Sequence, residues 1–201
     1  TNLLNGMKGV FKMTNYYKSI YNNIEYNIKM AALDSIIPPE LLFALCCNES
    51  GKWLAKNEPV PSRPEPHVLN SLKLVQKGEK QNYKGIVMDN LIEKSPDNLL
   101  RLASSYGVTQ VMGWWTLKFI PFSVDDLNNP NDALRATINI LSMSQDKQPI
   151  GKESALKYIN EFDYESVFRI WNTGKHDCKT YHEDYVKNGF RAVIMWLKYN
   201  P

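Results

Sequence analysis

Hydrophobic residues recur at helical spacing along most of the chain, and this pattern predicts a mainly α protein. Thr14 is a suitable N-cap for the first helix, and Gly51 is a natural stop for the second. Ser95 and Pro96 form a cap followed by a proline at the first helical position. The predicted helices lie at 16–33, 38–50, 68–76, 95–104, 129–145, 151–162, 163–171 and 185–199.

The polar and proline-rich segments divide these helices without marking a domain boundary. The second helix is followed by "KNEPVPSRPEPHV", which is too rich in proline for a helix and predicts an irregular or extended crossing loop. The chain shows neither an internal repeat nor a linker of low complexity. We therefore expect an N-terminal extension at 1–13, as a tag or processed segment, and a single domain at 14–201.

Composition narrows the classes of partner. The chain has 201 residues with 24 Lys+Arg against 21 Asp+Glu, and its net charge of +3 suits an anionic partner such as a cell-wall surface but is too weak to indicate nucleic acid. The most apolar run, residues 36–47, is interrupted by two prolines and a glutamate, so no membrane span is expected. The opening "TNLLNGMKGVFKM" lacks the features of a signal peptide.

The three cysteines, Cys46, Cys47 and Cys178, do not form a disulfide framework, because their number is odd and two are neighbours. They are interpreted as small hydrophobic residues. The segment "HDCKTYHED" offers His176, Cys178, His182 and Asp184 as potential ligands, but the spacing matches no standard zinc pattern. We predict no metal site.

One acidic residue lies on an apolar helical stripe. Leu42, Leu45, Cys46 and Glu49 follow one another at i, i+3, i+4 and i+7. Burial and the negative end of the helix dipole would both raise the pKa of Glu49, and a protonated carboxyl can act as general acid toward a glycosidic oxygen. The alternative is a helix-end glutamate that reaches solvent or pairs with Lys52.

Three motifs in order resemble those of lytic transglycosylases and goose-type lysozymes. The first is "IPPELLFALCCNESGKW", which resembles the helix that ends in the catalytic Glu-Ser pair. The second is "SSYGVTQVMG", and the third is "RIWNTG", followed downstream by the pair Tyr185-Val186. Together the motifs span residues 37–186, which is most of the chain.

The phage-type peptidoglycan muramidases resemble the chain more closely. Their Phe-Glu-x-His-x-Phe segment is similar to "SRPEPHVLNSL", with Glu65 and His67 at the matching places. Their Ser-aromatic-Gly-x-x-Gln-x-Met-Gly segment matches "SYGVTQVMG" at every fixed position. Pro64 replaces an aromatic residue, and Trp171 replaces the tyrosine thought to hydrogen-bond the catalytic glutamate. Trp has an N–H donor and no acceptor.

The resemblance implies a mainly α, lysozyme-like single domain with a proline-rich loop after the catalytic helix. It implies that Glu49 is the general acid and that Glu65 is a tentative base. It requires no cofactor. Trp114 and Trp115 are either sugar-stacking or core residues. The resemblance assigns substrate binding to Ser50, Tyr106, Gly107, Gln110, Met112, Trp171 and Asn172.

Several activities remain open at this level. The first is hydrolysis of peptidoglycan between N-acetylmuramic acid and N-acetylglucosamine, which in an inverting enzyme needs a base about 6.5–9.5 Å from the acid. The second is lytic transglycosylation, in which the 6-hydroxyl of the substrate attacks and no second carboxylate is needed. The others are a non-catalytic wall-binding domain and a chitosanase-type enzyme.

The expected setting is a bacteriophage lysin. Such a protein would lie in the host cytoplasm before it reaches the cell wall or periplasm, or it would be carried on the virion within a larger protein or assembly. The glycan strands of bacterial peptidoglycan are the expected partner.

Overall fold

The longest helix, α1 (Asn2–Ala32), packs on the rest of the protein through a stripe of isoleucines. Ile20, Ile24 and Ile28 are fully buried, as their spacing predicted. The computed structural model describes the chain from Asn2, with side chains from Met13 onward. Because α1 begins at Asn2, Thr14 lies inside the helix and its predicted capping role is wrong.

The predicted division between 1–13 and 14–201 falls within this same helix. The backbone of α1 crosses the division without interruption. Thr1 and the side chains of residues 2–12 lie outside the described part of the chain.

The second helix, α2 (Pro39–Leu54), extends beyond its predicted end. Gly51 is part of the helix rather than its stop. A Cβ atom at Gly51 would lie 2.5 Å from the hydroxyl oxygen of Tyr16 and 3.3 Å from Ile20 Cδ1. This glycine is therefore required by the close crossing of α1 and α2, which local sequence cannot reveal.

Four helices begin with a proline at the first helical position, where the missing N–H has no intrahelical partner to lose. Ser95 caps one of them by accepting a hydrogen bond from the Asn98 N–H at 3.2 Å, as predicted. These helices are α2 (Pro39–Leu54), α3 (Pro66–Gln76), α4 (Pro96–Leu102) and α5 (Pro130–Leu141).

Three very short strands form an antiparallel sheet in the order β1-β2-β3. They are β1 (Arg63–Pro64), β2 (Ser104–Tyr106) and β3 (Val111–Met112). Arg63 pairs with Ser105, which pairs in turn with Met112. Within the proline-rich segment β1 is extended, as predicted, but α3 already begins at Pro66, two residues before its predicted start. Strands of two or three residues are too short to show an alternating pattern.

The remaining helices are α6 (Leu156–Asn160), α7 (Tyr164–Thr173) and α8 (Tyr185–Tyr199). Short 3₁₀ helices occur at Met88–Asn90, Gly113–Leu117, Asp126–Asn128 and Gln145–Lys147. The chain is a mainly α single domain, as predicted. Among the described residues, each helix is either too short or too polar to cross a membrane.

Buried side chains form two clusters. The helical cluster joins α1, α2, α7 and α8, and the sheet-side cluster joins α3, α4 and the strands. Trp171 packs against both clusters. The junction between the clusters, at which Trp171 lies, also borders a cleft.

Candidate active site

A cleft of about 500 Å³ lies between the helical and sheet-side clusters. This volume is within the range of small-molecule binding sites. Its apolar lining comes from both clusters, and its polar lining includes acidic, basic and amide side chains. The charged lining residues are Glu49, Arg63, Glu65, His67, Lys84, Lys152 and Glu153.

Glu49 reaches the cleft from α2. Leu42, Leu45 and Cys46 on the same stripe are fully buried, whereas Glu49 is half-buried, so the stripe leads from the core to the cleft wall. Burial raises the pKa of Glu49 above its ordinary value, and the negative charge of Glu65 acts in the same direction. A hydrogen bond from Tyr185 and the positive charge of Arg63 oppose this rise in the pKa.

The helix-dipole argument for Glu49 is corrected by the structure. Since α2 continues to Leu54, Glu49 lies more than one turn before the helix end. The effect of the dipole falls off within the last turn. Burial is therefore the main cause of the raised pKa. Glu49 is neither exposed to solvent nor paired with Lys52, so the alternative interpretation is wrong.

Tyr185 is the direct partner of Glu49. Its hydroxyl donates a hydrogen bond to Glu49 Oε1. Asn48 Nδ2 donates to the backbone oxygen of Tyr185 at 3.0 Å, so two neighbouring residues of α2 contact the first residue of α8. Burial and the adjacent carboxyl raise the pKa of Tyr185 well above its ordinary value. Tyr185 thus stays a hydrogen-bond donor and fixes the orientation of the acid.

Glu65 lies on the same cleft and forms an ion pair there. Its Oε1 accepts a hydrogen bond from Arg63 Nε at 2.7 Å, and its Oε2 lies 3.9 Å from His67 Nδ1. Its backbone N–H donates to the Ala103 oxygen at 2.9 Å, which ties the proline-rich loop to the end of α4. The structure brings both predicted carboxyls to one cleft, with a guanidinium beside the second.

Gln110 also lines the cleft, and its side chain is held on both sides. Its Oε1 accepts from Ser105 Oγ at 2.8 Å, and its Nε2 donates to the Gly107 oxygen at 3.1 Å. Its backbone is in the left-handed region, with φ of 54°. The β2–β3 turn therefore presents a fixed amide to the cleft.

Three residues with predicted substrate roles, Ser50, Tyr106 and Gly107, are not part of the cleft lining. Ser50 is buried and donates to the Gly107 oxygen at 3.4 Å. Tyr106 is buried and donates to the Arg101 oxygen at 3.0 Å. A Cβ atom at Gly107, where φ is 69°, would lie 2.3 Å from the Leu127 oxygen. Tyr106 and Gly107 lead into the turn that carries Gln110, and Ser50 contacts this turn from α2.

The other predicted binding residues do line the cleft. Met112 is half-buried against the sheet-side cluster, and Trp171 separates the two clusters. Asn172 accepts a hydrogen bond from the Tyr181 N–H at 2.9 Å, which ties α7 to the loop before α8. Trp114 and Trp115 stack on each other at 4.7 Å and are 2% and 5% exposed, so they are core residues whose edges border the cleft.

Two lysines and two tyrosines of the cleft were missed by sequence reasoning. Lys84 and Lys152 lie on its lining, and burial together with the charge of Lys84 lowers the pKa of Lys152 to about 8. Burial and the nearby groups Tyr181 and Glu65 raise the pKa of Tyr83 to about 12. Tyr83, Lys84 and Tyr181 come from loops, and Lys152 precedes α6, although the predicted helix begins at residue 151.

The structure brings together a group of potential metal ligands that differs from the group in the segment "HDCKTYHED". Glu153, His176 and Asp177 have ligand atoms within 4.8 Å of one another. Glu153 Oε2 is 2.7 Å from His176 Nδ1 and accepts a hydrogen bond from the His176 N–H at 2.9 Å. His176 also stacks on Tyr158. These contacts give the cluster a structural role, because they join the loop that follows α5 to the loop that follows α7.

The sequence matches no protein-family model, and searches of the curated proteins and of the solved structures also find no match. The chemistry of the cleft must therefore be argued from its own residues. It combines a carboxyl with a raised pKa, which keeps its proton to a higher pH than usual, with a second carboxyl and a fixed amide. Such a set can protonate a leaving oxygen and bind polar groups around it.

Proposed function

We propose that this protein is a peptidoglycan muramidase, with Glu49 as the general acid. The observation that carries the proposal is the position of the Glu49 carboxyl, which is buried enough to have a raised pKa and opens on a 500 Å³ cleft. Solvent-exposed carboxyls are ionised near neutral pH and cannot serve as acids. The substrate follows from the motifs that resemble phage-type muramidases, together with the mildly basic charge.

The proposed reaction begins with proton transfer from Glu49 to the oxygen that links N-acetylmuramic acid to N-acetylglucosamine. The bond from that oxygen to C1 of the muramic residue breaks, and positive charge develops on the sugar ring. A water molecule then attacks C1, and Glu65 accepts its proton. Tyr185 stabilises the Glu49 carboxylate that remains, because its hydrogen bond favours the ionised form.

Lytic transglycosylation is the second candidate, and the Arg63–Glu65 contact favours it. Glu65 Oε1 already accepts a hydrogen bond from Arg63 Nε at 2.7 Å, so this oxygen is occupied and less accessible to an attacking water. In this reaction the 6-hydroxyl of the muramic residue attacks C1, and Glu49 can itself take the proton after the leaving group has departed. The product then carries a 1,6-anhydro end.

The resemblance to phage-type muramidases extends the proposal to the setting of the protein, as a bacteriophage lysin or virion-borne domain that acts on the host cell wall.

Release of soluble fragments from dye-labelled peptidoglycan tests the proposal. We expect the wild type to release dye, and Glu49→Gln to lose about 10²–10⁴-fold in rate, which is the usual contribution of a general acid. Glu93→Gln is the matched control because Glu93 is exposed and distant from the cleft lining. Binding to the wall without release by the wild type would instead support a non-catalytic domain.

A further inference from the structure

Two lysine side chains line the cleft beside the proposed acid. Lys84 comes from the turn at residues 82–85, and Lys152 comes from the segment that leads into α6. Both are half-buried, and the charge of Lys84 acts on Lys152. Within residues 13–201, neither ammonium has a carboxylate at salt-bridge distance.

The nearest acidic residue in sequence is already occupied. Glu153 follows Lys152 directly, but its Oε2 contacts both the ring nitrogen and the backbone N–H of His176. Glu153 also lines the cleft, but its carboxylate is engaged by His176 and lies outside salt-bridge distance of both lysines. The two ammonium groups remain in the cleft without an anionic partner.

The position of Lys152 is set by the end of α7. The Glu153 N–H donates to the Gly174 oxygen at 2.9 Å, which joins this segment to the helix end. A Cβ atom at Gly174 would lie 3.2 Å from Lys152 Cδ and 3.5 Å from Lys152 Nζ. The glycine that closes the third motif thus leaves room for the lysine stem and helps to hold its ammonium group at the cleft.

Two like charges that are partly buried on one cleft are unfavourable in the absence of a counter-charge. Burial and the charge of Lys84 lower the pKa of Lys152, and burial and the charge of Lys80 lower the pKa of Lys84, in agreement with this placement. A bound anion would offset both the burial and the repulsion. The pair is thus arranged for an anionic ligand that enters the cleft.

We infer that Lys84 and Lys152 form a subsite for a carboxylate attached to the glycan strand. This inference rests on the proposed function and gives the cleft a preference for acidic peptidoglycan over neutral amino-sugar polymers. The carboxylate has two possible sources, the lactyl group of a bare muramic residue and the peptide stem. Both sources present the same group to the lysines.

The subsite should depend on pH through Lys152. The groups that line the cleft with it are the acids Glu49, Glu65 and Glu153, the bases Arg63, His67 and Lys84, and the phenols Tyr83 and Tyr181; His176 contacts Glu153. Burial and the charge of Lys84 lower the pKa of Lys152 to about 8, whereas burial raises the pKa of Tyr83 to about 12. Loss of anion binding between pH 7 and 9.5 would therefore report on the lysines.

Binding is measured by calorimetry in the Glu49→Gln background, which prevents turnover. The probes are a muropeptide tetrasaccharide with free carboxylates, its carboxamide derivative, the peptide-free glycan with lactyl carboxylates, and neutral chitotetraose. At pH 7 we expect the free muropeptide to bind about tenfold more tightly than its carboxamide, or better. Comparison with the peptide-free glycan identifies which carboxylate is bound.

Four lysine variants complete the test. Lys152→Met and Lys84→Met should each remove most of the preference for the carboxylate, whereas Lys94→Met, an exposed lysine away from the cleft lining, should retain it. Lys152→Arg should retain the preference at pH 9.5, where the wild type loses it, because a guanidinium stays charged. This rescue is not expected if Lys152 only packs against Gly174.

The outcomes separate this inference from the proposed function. Cleavage of native wall with equal binding of free and amidated muropeptides would overturn the subsite alone. A carboxylate preference that depends on both lysines, without cleavage, would support the subsite and overturn the catalytic proposal. If none of the probes binds and the wall is not cleaved, both are overturned.

Discussion

The Tyr185 hydroxyl donates a hydrogen bond to Glu49 Oε1, which joins the first residue of α8 to the proposed acid on α2. The contact is reinforced next to it, because Asn48 Nδ2 holds the backbone oxygen of Tyr185 at 3.0 Å. Trp171 lies elsewhere on the cleft. The hydrogen-bond partner of Glu49 is thus Tyr185, whereas Trp171 is a lining residue of the same cleft.

Tyr185→Phe should move the pH dependence of catalysis. The hydrogen bond from Tyr185 favours the ionised form of Glu49, so its removal raises the pKa of Glu49 further. We expect the alkaline limb of the kcat/KM profile on peptidoglycan to shift to higher pH and kcat to fall about tenfold. Tyr26→Phe, on the exposed face of α1, should leave the limb in place, and an unshifted limb in Tyr185→Phe would contradict the assigned role.

Glu49→Gln should stabilise the fold at high pH and not at low pH. Because the folded-state pKa of Glu49 is raised, its contribution to stability is complete below the ordinary value of 4.5 and is lost as pH rises through the raised value. Glutamine remains neutral and still accepts from Tyr185. Urea unfolding at pH 8 should therefore show a gain, on the order of 1 kcal/mol, that is absent at pH 3.5.

Glu93→Gln serves as the control for this effect, because Glu93 is exposed. The same stability difference for Glu49→Gln at both pH values would show that burial does not raise the pKa of Glu49.

Gly107→Ala should destabilise the turn that carries Gln110. Its Cβ atom would lie 2.3 Å from the Leu127 oxygen and 2.7 Å from Ala133 Cβ, at a φ of 69°. We expect a loss of about 2–4 kcal/mol in the free energy of unfolding. Gly151→Ala is a matched control, because φ is 78° and nothing lies within 4 Å of the new Cβ.

The control should lose only about 1 kcal/mol, the cost of the backbone conformation alone. Equal losses for the two variants in urea unfolding would mean that Gly107 serves the backbone conformation and not the close packing.

Glu65→Gln distinguishes the two candidate reactions. If Glu65 accepts the proton of the attacking water, as in our first proposal, the rate of peptidoglycan hydrolysis should fall by about 10²–10⁴-fold. If the 6-hydroxyl attacks instead, the variant should retain most of the rate and yield 1,6-anhydro ends. The initial rate and the mass of the muropeptides are both needed, and a retained rate with hydrated products would remove Glu65 from either mechanism.

The long helices could be predicted from sequence because each buries a stripe of regular period. Ile20, Ile24 and Ile28 fixed the inner face of α1 in this way. The ends were harder, because Gly51 continues α2 to make room for Tyr16, a tertiary contact with no local signal. The sheet was missed since its strands have only two or three residues.

The candidate site could be predicted where a charged residue occupies a position that the helical period assigns to an apolar one. Glu49 on its apolar stripe is such a residue. Motif positions indicated the β2–β3 turn, but they did not distinguish Gln110 on the cleft from Ser50 and Gly107 behind it. Lys84 and Lys152 come from separate loops, and only the packing of α7 and its neighbours brings them to one wall. The family resemblance itself stays a prediction, since the comparisons with known proteins gave no match.

The most direct test of the central claim is mass spectrometry of the muropeptides released from purified peptidoglycan by the wild type and by Glu49→Gln. We expect fragments with reducing muramic ends that carry one added water, and their loss in Glu49→Gln but not in Glu93→Gln. Anhydro ends would keep Glu49 as the acid and change the reaction to transglycosylation. Equal product from the wild type and Glu49→Gln, or none from either, would contradict the claim that Glu49 is a general acid acting on peptidoglycan.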